Sequence, residues 1–355
     1  MNTKKMTAKI KIKIGDKVVG EGEPCFIIAE GGVNHNGSLE LAKKLVDVAV
    51  DCKADAVKFQ KRNIEKILTR EALKMPYLGP TSFGKTYGEH RRKLELPFDA
   101  WYELKEYCNE RGIMLLASVW DEESADFIEE LDVPAFKLPS ADLTNLPLLE
   151  HIAKKKKPII LSTGMSNMEE IEDAVKTIKK YNDKLILLQC TSTYPSEHKD
   201  INLRVMETLK NSLDVLVGYS GHERGIAISE AAAVLGAVII ERHFTLDNMM
   251  KGPDHAASLE PTGLFKLIRD IRNIEVSMGS SEKRILEREK PIRTKLAKSV
   301  VAAVDIPKGM LITSGMLTVK GPNTGLPPKY IYILPGKRAI KDIKEDNVIT
   351  EEMVE

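Results

Sequence analysis

The chain has 355 residues, 43% of them hydrophobic, with 53 Lys+Arg against 52 Asp+Glu. That length supports a full hydrophobic core and one large domain, or one large plus one small, while cancelling charge and only 5% aromatics argue against nucleic-acid and anionic-membrane partners. No apolar run reaches the roughly 18–20 residues of a membrane span, the N-terminal segment lacks a signal-peptide core, and Cys25, Cys52, Cys108 and Cys190 show no paired spacing, so a cytoplasmic protein with reduced thiols is expected.

In chain order, residues 10–20 (IKIKIGDKVVG) alternate around a Gly-Asp turn, which predicts a hairpin within a capping segment 1–25. Eight short β-branched runs follow, at 26–30, 56–60, 113–119, 135–139, 158–163, 185–191, 216–220 and 238–244. They are near-continuously apolar, as befits strands buried on both faces of a parallel sheet. The segments between them read as helices. Residues 38–53 carry apolar positions at 3–4 spacing, and Ser166 with Glu169 suggests a capping box for the helix that follows. Eight such units predict an α/β fold, a closed (β/α)8 TIM barrel over 26–280. An open doubly wound sheet is the alternative, but no glycine-rich fingerprint follows the first strand. The long gap between the second and third strands, 64–97, holds MPYLGPTSFGKTYGEHRRKLELP and reads as a substrate-binding insertion at the C-terminal face of the barrel. A polar linker is expected at 281–293, then a small, mainly-β domain at 294–355 rich in Gly and Pro.

Polar residues cluster where the strands end. They are Glu30, Lys58 and Gln60, Ser118, Lys137, Ser140 and Asp142, Ser162 and Thr163, Ser192 and Tyr194, Ser220 and His222, and Glu241 and His243. Burying unpaired polar groups costs roughly 1–3 kcal/mol each, so eight strands in succession ending this way predict an active-site ring. Two lysines with several hydroxyls suit a small anion carrying phosphate and carboxylate. His222 and His243, on neighbouring strands, suit one divalent metal completed by oxygen ligands, with Mn²⁺, Zn²⁺ or Fe²⁺ all compatible. His151 reads as a solvated helix end, and His198 receives no role.

IAEGGVNHNG, AVKFQ, FKLPSAD, LSTGM, QCTSTYP, GYSGH, ERHFT and GPDHAASLEP resemble, in order and position, the sialic acid synthase (N-acetylneuraminate synthase) family. KSVVAAVDIPKGMLIT and GKRAI resemble its C-terminal antifreeze-like (SAF) domain, and MPYLGPTSFGKTYGEHRRKLEL is most similar to the animal-type 9-phosphate synthases. The resemblance implies condensation of phosphoenolpyruvate (PEP) with an N-acetylated hexosamine, N-acetylmannosamine or its 6-phosphate, giving a nine-carbon 2-keto-3-deoxy acid and phosphate. It implies a divalent cofactor, Mn²⁺ with Mg²⁺ or Co²⁺ as substitutes, held by His222 and His243, with Glu30 as a third catalytic group. It implies PEP binding by Lys58, Ser118, Lys137, Ser140, Ser162, Ser192 and Ser220, and sugar binding by Glu30, Gln60, Asp142, Tyr194 and Asp254. A domain-swapped homodimer is implied as well.

Some positions depart from the bacterial pattern. Ser118 stands for Thr, Ser192 for Asn and Asp142 for Glu, and 320–323 reads Lys-Gly-Pro-Asn where those enzymes carry Lys-Arg-Pro-Gly. The sugar-contacting Arg of that motif is thus missing, which makes Lys85, His90, Arg91 and Arg92 of the insertion candidates for a sugar phosphate. Alternatives are the same reaction on a 2,4-diacetamido-6-deoxy sugar (legionaminic or pseudaminic acid synthesis), a metal-dependent hydrolase or aldolase on the same barrel, and a non-catalytic carbohydrate-binding protein.

Overall fold

The computed structural model describes residues 10–355. They form two compact units, one ending at Gly279 and one covering Ser280–Glu355. The first begins with strands β1 (Lys11–Ile14) and β2 (Lys17–Gly20), an antiparallel hairpin. Part of the segment assigned above to a cap, residues 1–9, lies outside the described residues.

Eight parallel strands then close into a barrel. They are β3 (Phe26–Gly32), β4 (Ala56–Lys61), β5 (Met114–Val119), β6 (Phe136–Leu138), β7 (Ile159–Ser162), β8 (Leu185–Cys190), β9 (Leu216–Gly221) and β10 (Ile239–His243). They run in chain order around the barrel, and β10 closes it against β3 with His243 opposite Glu30. Every expected strand is present. The runs are apolar on both parities because both faces are covered. Ile27, Ala29, Val57, Phe59, Leu115 and Ala117 belong to the cluster shared with the outer helices, whereas Phe26, Ile28, Ala56 and Leu116 fill the interior.

The interior cluster also contains Ile12, Ile14 and Val19 of the hairpin, so β1 and β2 plug the barrel floor. Alternation makes this work. Ile12 and Ile14 are buried while Lys11 and Lys13 are exposed, one face in apolar contact and one in water.

The helix Leu39–Asp51 starts at Ser38, whose hydroxyl accepts from the Leu41 N–H. The helix Met168–Lys179 corrects the expected capping box by one residue. Asn167 and Glu170 cap it reciprocally, while the Ser166 hydroxyl donates to the Gly164 carbonyl instead. The insertion folds into three short helices, Ile64–Ile67, Arg70–Lys74 and Tyr87–Lys93. No helix among the described residues is long and apolar enough to cross a membrane.

The second unit differs from expectation at its start, where the helix Lys290–Leu296 occupies residues assigned to the linker. Its Pro291 sits in the first turn, where a missing N–H costs nothing. Strands β11 (Ser299–Ala302) and β12 (Leu317–Lys320) pair antiparallel, and the rest is mostly irregular chain with a few short 3₁₀ turns. Val300, Ile306, Ile312, Leu326, Leu334 and Ile343 form a core of its own.

Ile14 is fully buried at the barrel floor. Ile14→Ala should cost about 2–5 kcal/mol in urea unfolding, the range for emptying a packed core position; a change under 0.5 kcal/mol would mean that the hairpin does not seal the barrel.

Candidate active site at the barrel mouth

A parallel barrel delivers the C-terminal ends of all its strands to one face, and parity selects which side chains enter. On β4, Val57, Phe59 and Lys61 point to the helices, Lys61 lying 3.7 Å above the Phe98 ring. Lys58, Gln60 and, one residue beyond the strand, Arg62 point inward and line a cavity of about 310 Å³. Glu30, Ser118, Lys137, Ser140, Ser162, Ser192, Tyr194, Ser220, His222, His243 and Asp254 line the same cavity. Eight strands thus converge on one volume.

At its inner end four buried charges interlock. Lys58 Nζ lies 2.6 Å from Glu30 Oε2 and 3.6 Å from Glu241 Oε2, and donates to Ser118 Oγ at 2.7 Å. Lys137 Nζ donates to Ser162 Oγ at 2.8 Å and lies 3.8 Å from Glu241 Oε1, which also accepts from Ser220 Oγ at 3.0 Å. None of the four charged residues is more than 5% exposed. Burial works against the Lys58 ammonium, but Glu241 and Glu30 outweigh it and raise its pKa. At Lys137 burial prevails and the pKa falls despite Glu241. The carboxylates divide likewise. Burial raises Glu30 against the pull of Lys58, while Lys137 and Lys58 overcome burial and hold Glu241 low. Two ammonium groups balanced by two carboxylates thus sit in a medium where charges interact strongly, an arrangement chemically suited to a small anion.

Gly164 sets the serine geometry. A Cβ there would stand 2.2 Å from Ser192 Oγ and 2.9 Å from Ser140 Oγ, while its N–H donates to Ser140 Oγ at 3.0 Å. Only a residue without a side chain lets the loop after β7 approach both hydroxyls.

His222 and His243 face each other with ring centroids 5.4 Å apart, and the Tyr194 ring lies 4.1 Å from that of His222. His222 Nδ1 lies 2.8 Å from the Thr191 carbonyl, a contact that requires Nδ1–H, so in the neutral ring Nε2 is the nitrogen with a free lone pair. Nδ1 of His243 is buried with no hydrogen-bond partner among the described residues, 3.8 Å from Asp254 Oδ2. No set of three His, Cys, Asp or Glu side chains among the described residues is arranged to hold a metal ion. The donors present, two imidazoles with one orphaned nitrogen, fit a divalent cation that takes its other ligands from water or substrate.

Behind the histidines runs a second network. Arg242 Nη1 contacts Glu223 Oε1 at 2.8 Å, Ser229 Oγ at 2.8 Å and the Gly225 carbonyl at 2.9 Å, and Nη2 donates to the Glu223 carbonyl at 2.6 Å. Tyr219 donates to the other Glu223 oxygen at 2.7 Å. Glu223 adjoins His222 and Arg242 adjoins His243, so this buried ion pair fastens together the two ends that carry the imidazoles.

Several expected residues lie elsewhere. Asp142 ends a 3₁₀ turn begun by Ser140 and faces a neighbouring acidic cavity with Asp121, Glu122, Glu123 and Asp126. Burial, opposed by the Asn145 hydrogen bond, pushes its pKa up to about 6. Lys85 is exposed and does not line the site cavity, and Arg92 is turned outward to pair with Glu65 at 2.6 Å. His90 lines the cavity but as a neutral wall. Its Nδ1 accepts from the Phe83 N–H at 3.2 Å, and burial, with Arg91, Arg62 and Lys251 nearby, lowers its pKa. Arg91 does reach the cavity. His151 pairs with Asp126 at 2.6 Å on the surface. Sequence reasoning noted Glu241 without assigning it, and missed Arg62, Trp120, Tyr77, Tyr87 and Cys190, which also line the cavity. Strand parity was the available signal for Arg62 and Trp120, two residues beyond Gln60 and Ser118.

These features define a closed (β/α)8 barrel with a polar, charge-lined mouth, and sequence comparison places it. The NeuB family profile matches residues 45–283 and the SAF domain profile residues 297–355. The chain is 48% identical over 339 residues to N-acetylneuraminate-9-phosphate synthase of Homo sapiens, covering 95% of this chain and 94% of that one. It is 45% identical over 330 residues to N,N'-diacetyllegionaminic acid synthase of Campylobacter jejuni, covering 92% and 99%. The solved N-acetylneuraminic acid synthetase of Leptospira borgpetersenii matches with TM-score 0.70 and 34% identity, over 80% of this chain and 95% of that chain. The chain belongs to the NeuB family.

Replacing Arg242 with Met should destabilise the protein by about 3–5 kcal/mol, since it strands a buried carboxylate. If the network orients the imidazoles, the same variant should bind Mn²⁺ about 10- to 100-fold more weakly in a paramagnetic-resonance titration of the folded protein. Unchanged Mn²⁺ affinity would reduce the network to scaffolding.

Proposed function

We propose that this protein condenses phosphoenolpyruvate with the open-chain aldehyde of an N-acetylated hexosamine, a transferase reaction of the EC 2.5.1 class. The observation that carries this reading is the pairing, in one cavity, of two buried lysines with hydroxyl partners and two histidines with a free nitrogen.

Lys58, Lys137 and the hydroxyls of Ser118, Ser140, Ser162, Ser192 and Ser220 bind the phosphate and carboxylate of phosphoenolpyruvate. Gln60, Tyr194 and Asp254 bind the sugar above it. A divalent cation, Mn²⁺ for preference, held by His222 and His243, would polarise the aldehyde. The vinyl carbon of phosphoenolpyruvate forms the new C–C bond with the aldehyde carbon. Water adds its oxygen at the C2 cation so formed, and phosphate departs with the bridging oxygen. Glu30 lies at the junction of the two subsites, within reach of Lys58 at 2.6 Å and Gln60 at 3.4 Å, and holds or moves the proton exchanged there. Glu241 keeps both lysines charged and oriented before the anion enters.

A homodimer and a cytoplasmic location complete the proposal. The first rests on resemblance and is tested by sedimentation at micromolar protein. The second is supported by four free, buried cysteines.

The decisive assay is phosphate release from phosphoenolpyruvate with Mn²⁺ and each sugar separately, with EDTA controls and mass spectrometry of the product. Sugar-dependent release yielding a nine-carbon keto acid is expected. Turnover of a 2,4-diacetamido-6-deoxy sugar in preference to N-acetylmannosamine or its 6-phosphate would move the chain to the legionaminic or pseudaminic acid branch, and release without sugar would overturn condensation. Gly164→Ala should raise KM for phosphoenolpyruvate about 10- to 100-fold, because displaced hydroxyls lose their geometry. An unchanged KM would remove Ser140 and Ser192 from the anion site.

A further inference from the structure

A carboxylate that holds or moves a proton must have its neighbours fixed. On the mouth side of Glu30 that neighbour is Gln60, whose Nε2 donates to Glu30 Oε1 at 3.4 Å. A glutamine amide carries an acceptor at one end and donors at the other, and the two ends are nearly equal in size, so its partners decide which way it faces. The deciding partner is two residues further along the chain. Arg62 Nη1 donates to Gln60 Oε1 at 3.0 Å. With the oxygen taken by a guanidinium, the NH₂ end is the one left for Glu30.

Arg62 is itself clamped. It is 2% exposed, its Nε donates to Glu95 Oε1 at 2.7 Å, and its backbone N–H donates to Glu95 Oε2 at 3.3 Å. Both oxygens of Glu95 are thus engaged by one residue. The Trp120 ring, 5.6 Å from the guanidinium carbon, gives the planar group a face to lie on. Glu95 belongs to the insertion, just beyond its helix Tyr87–Lys93, and the buried Leu94 and Leu96 on either side hold it in place. A continuous polar chain therefore runs from Glu95 through Arg62, Gln60 and Glu30 to Lys58, with no link longer than 3.4 Å. We propose that Arg62, clamped by Glu95, is a positioning residue that fixes the Gln60 amide with its N–H toward Glu30 and so holds that carboxylate in its working orientation. Without it the amide is free to turn its oxygen toward Glu30, one acceptor against another, in a place where an unmatched polar contact is costly. The insertion then serves the reaction by supplying the clamp. The role rests on the condensation reading above, in which Glu30 holds or moves the proton.

The test is a double-mutant cycle on the full chain, read as sugar-dependent phosphate release with Mn²⁺ and phosphoenolpyruvate. The sugar is N-acetylmannosamine or its 6-phosphate, whichever the unaltered protein turns over faster. Arg62→Met should lower kcat about tenfold or more, the scale of a lost charged hydrogen bond. KM for phosphoenolpyruvate should change less than about threefold, because Lys58, Lys137 and their hydroxyl partners lie deeper in the barrel and are untouched. In a Gln60→Ala background, Arg62→Met should lower kcat less than about threefold further, since the amide it acts through is gone. Arg62→Lys, which keeps a donor for Gln60 Oε1, should recover part of the loss. Glu95→Gln, which keeps an acceptor but weakens the clamp, should lower kcat in the same direction, and it serves if the Arg62→Met variant fails to fold. Independent, multiplying effects of Arg62→Met and Gln60→Ala, or a KM for phosphoenolpyruvate that rises as far as kcat falls, would overturn the positioning role while leaving condensation intact. Sugar-independent release by the unaltered protein, or none, would overturn the condensation reading, and the role with it.

Discussion

Barrel closure governs everything else in this molecule. When β10 docks against β3, His243 comes opposite Glu30, two residues over two hundred positions apart in the chain. The same closure fixes the parity of every strand, because a one-residue slip would turn the inward set outward. The apolar hairpin side chains fill the floor, so the polar residues of the upper interior have one way to face, toward the mouth. The site is therefore a consequence of register more than of any single contact.

Register also explains how charge is distributed. At the inner end two lysines and two glutamates offset one another in a place where an unpaired ion would be costly. That balance lets the barrel fold before substrate arrives. It also places Glu30, whose proton burial favours, beside Lys58. Behind the wall, Arg242 and Glu223 have the opposite parity to the histidines they adjoin, so they brace the strand ends without entering the cavity. The insertion then adds Arg91, which makes no ion pair among the described residues and stacks on aromatic rings instead, which distinguishes the rim from the base.

Much of this was legible in the residues. The strands stood out because burial on both faces of a parallel sheet demands continuous apolar runs, and polar residues at their ends were conspicuous by contrast. The insertion stood out because its length broke the rhythm of the other units. The failures have physical causes. Ser166 and Asn167 are both good caps, and only the backbone path decided between them. Asp142 and Ser140 are two residues apart in a 3₁₀ turn, not a strand, so the parity that places Lys137 says nothing about them. Lys85, His90, Arg91 and Arg92 were indistinguishable in composition. Folding turned Arg92 to Glu65, enclosed His90 among aromatic rings and left Arg91 facing the cavity.

The sequence by itself determined the kind of protein this is: the barrel, the small β unit after it, and the lysines and histidine pair at the strand ends. These follow from local pattern, since strand periodicity and residue type are carried within a few positions of chain. What only the tertiary structure decided is which charges are spent and which are free. Glu241 with both lysines, Glu95 with Arg62, and Arg91 with the Trp120 ring are pairings between distant segments. They depend on distances of a few ångströms that no spacing along the chain encodes.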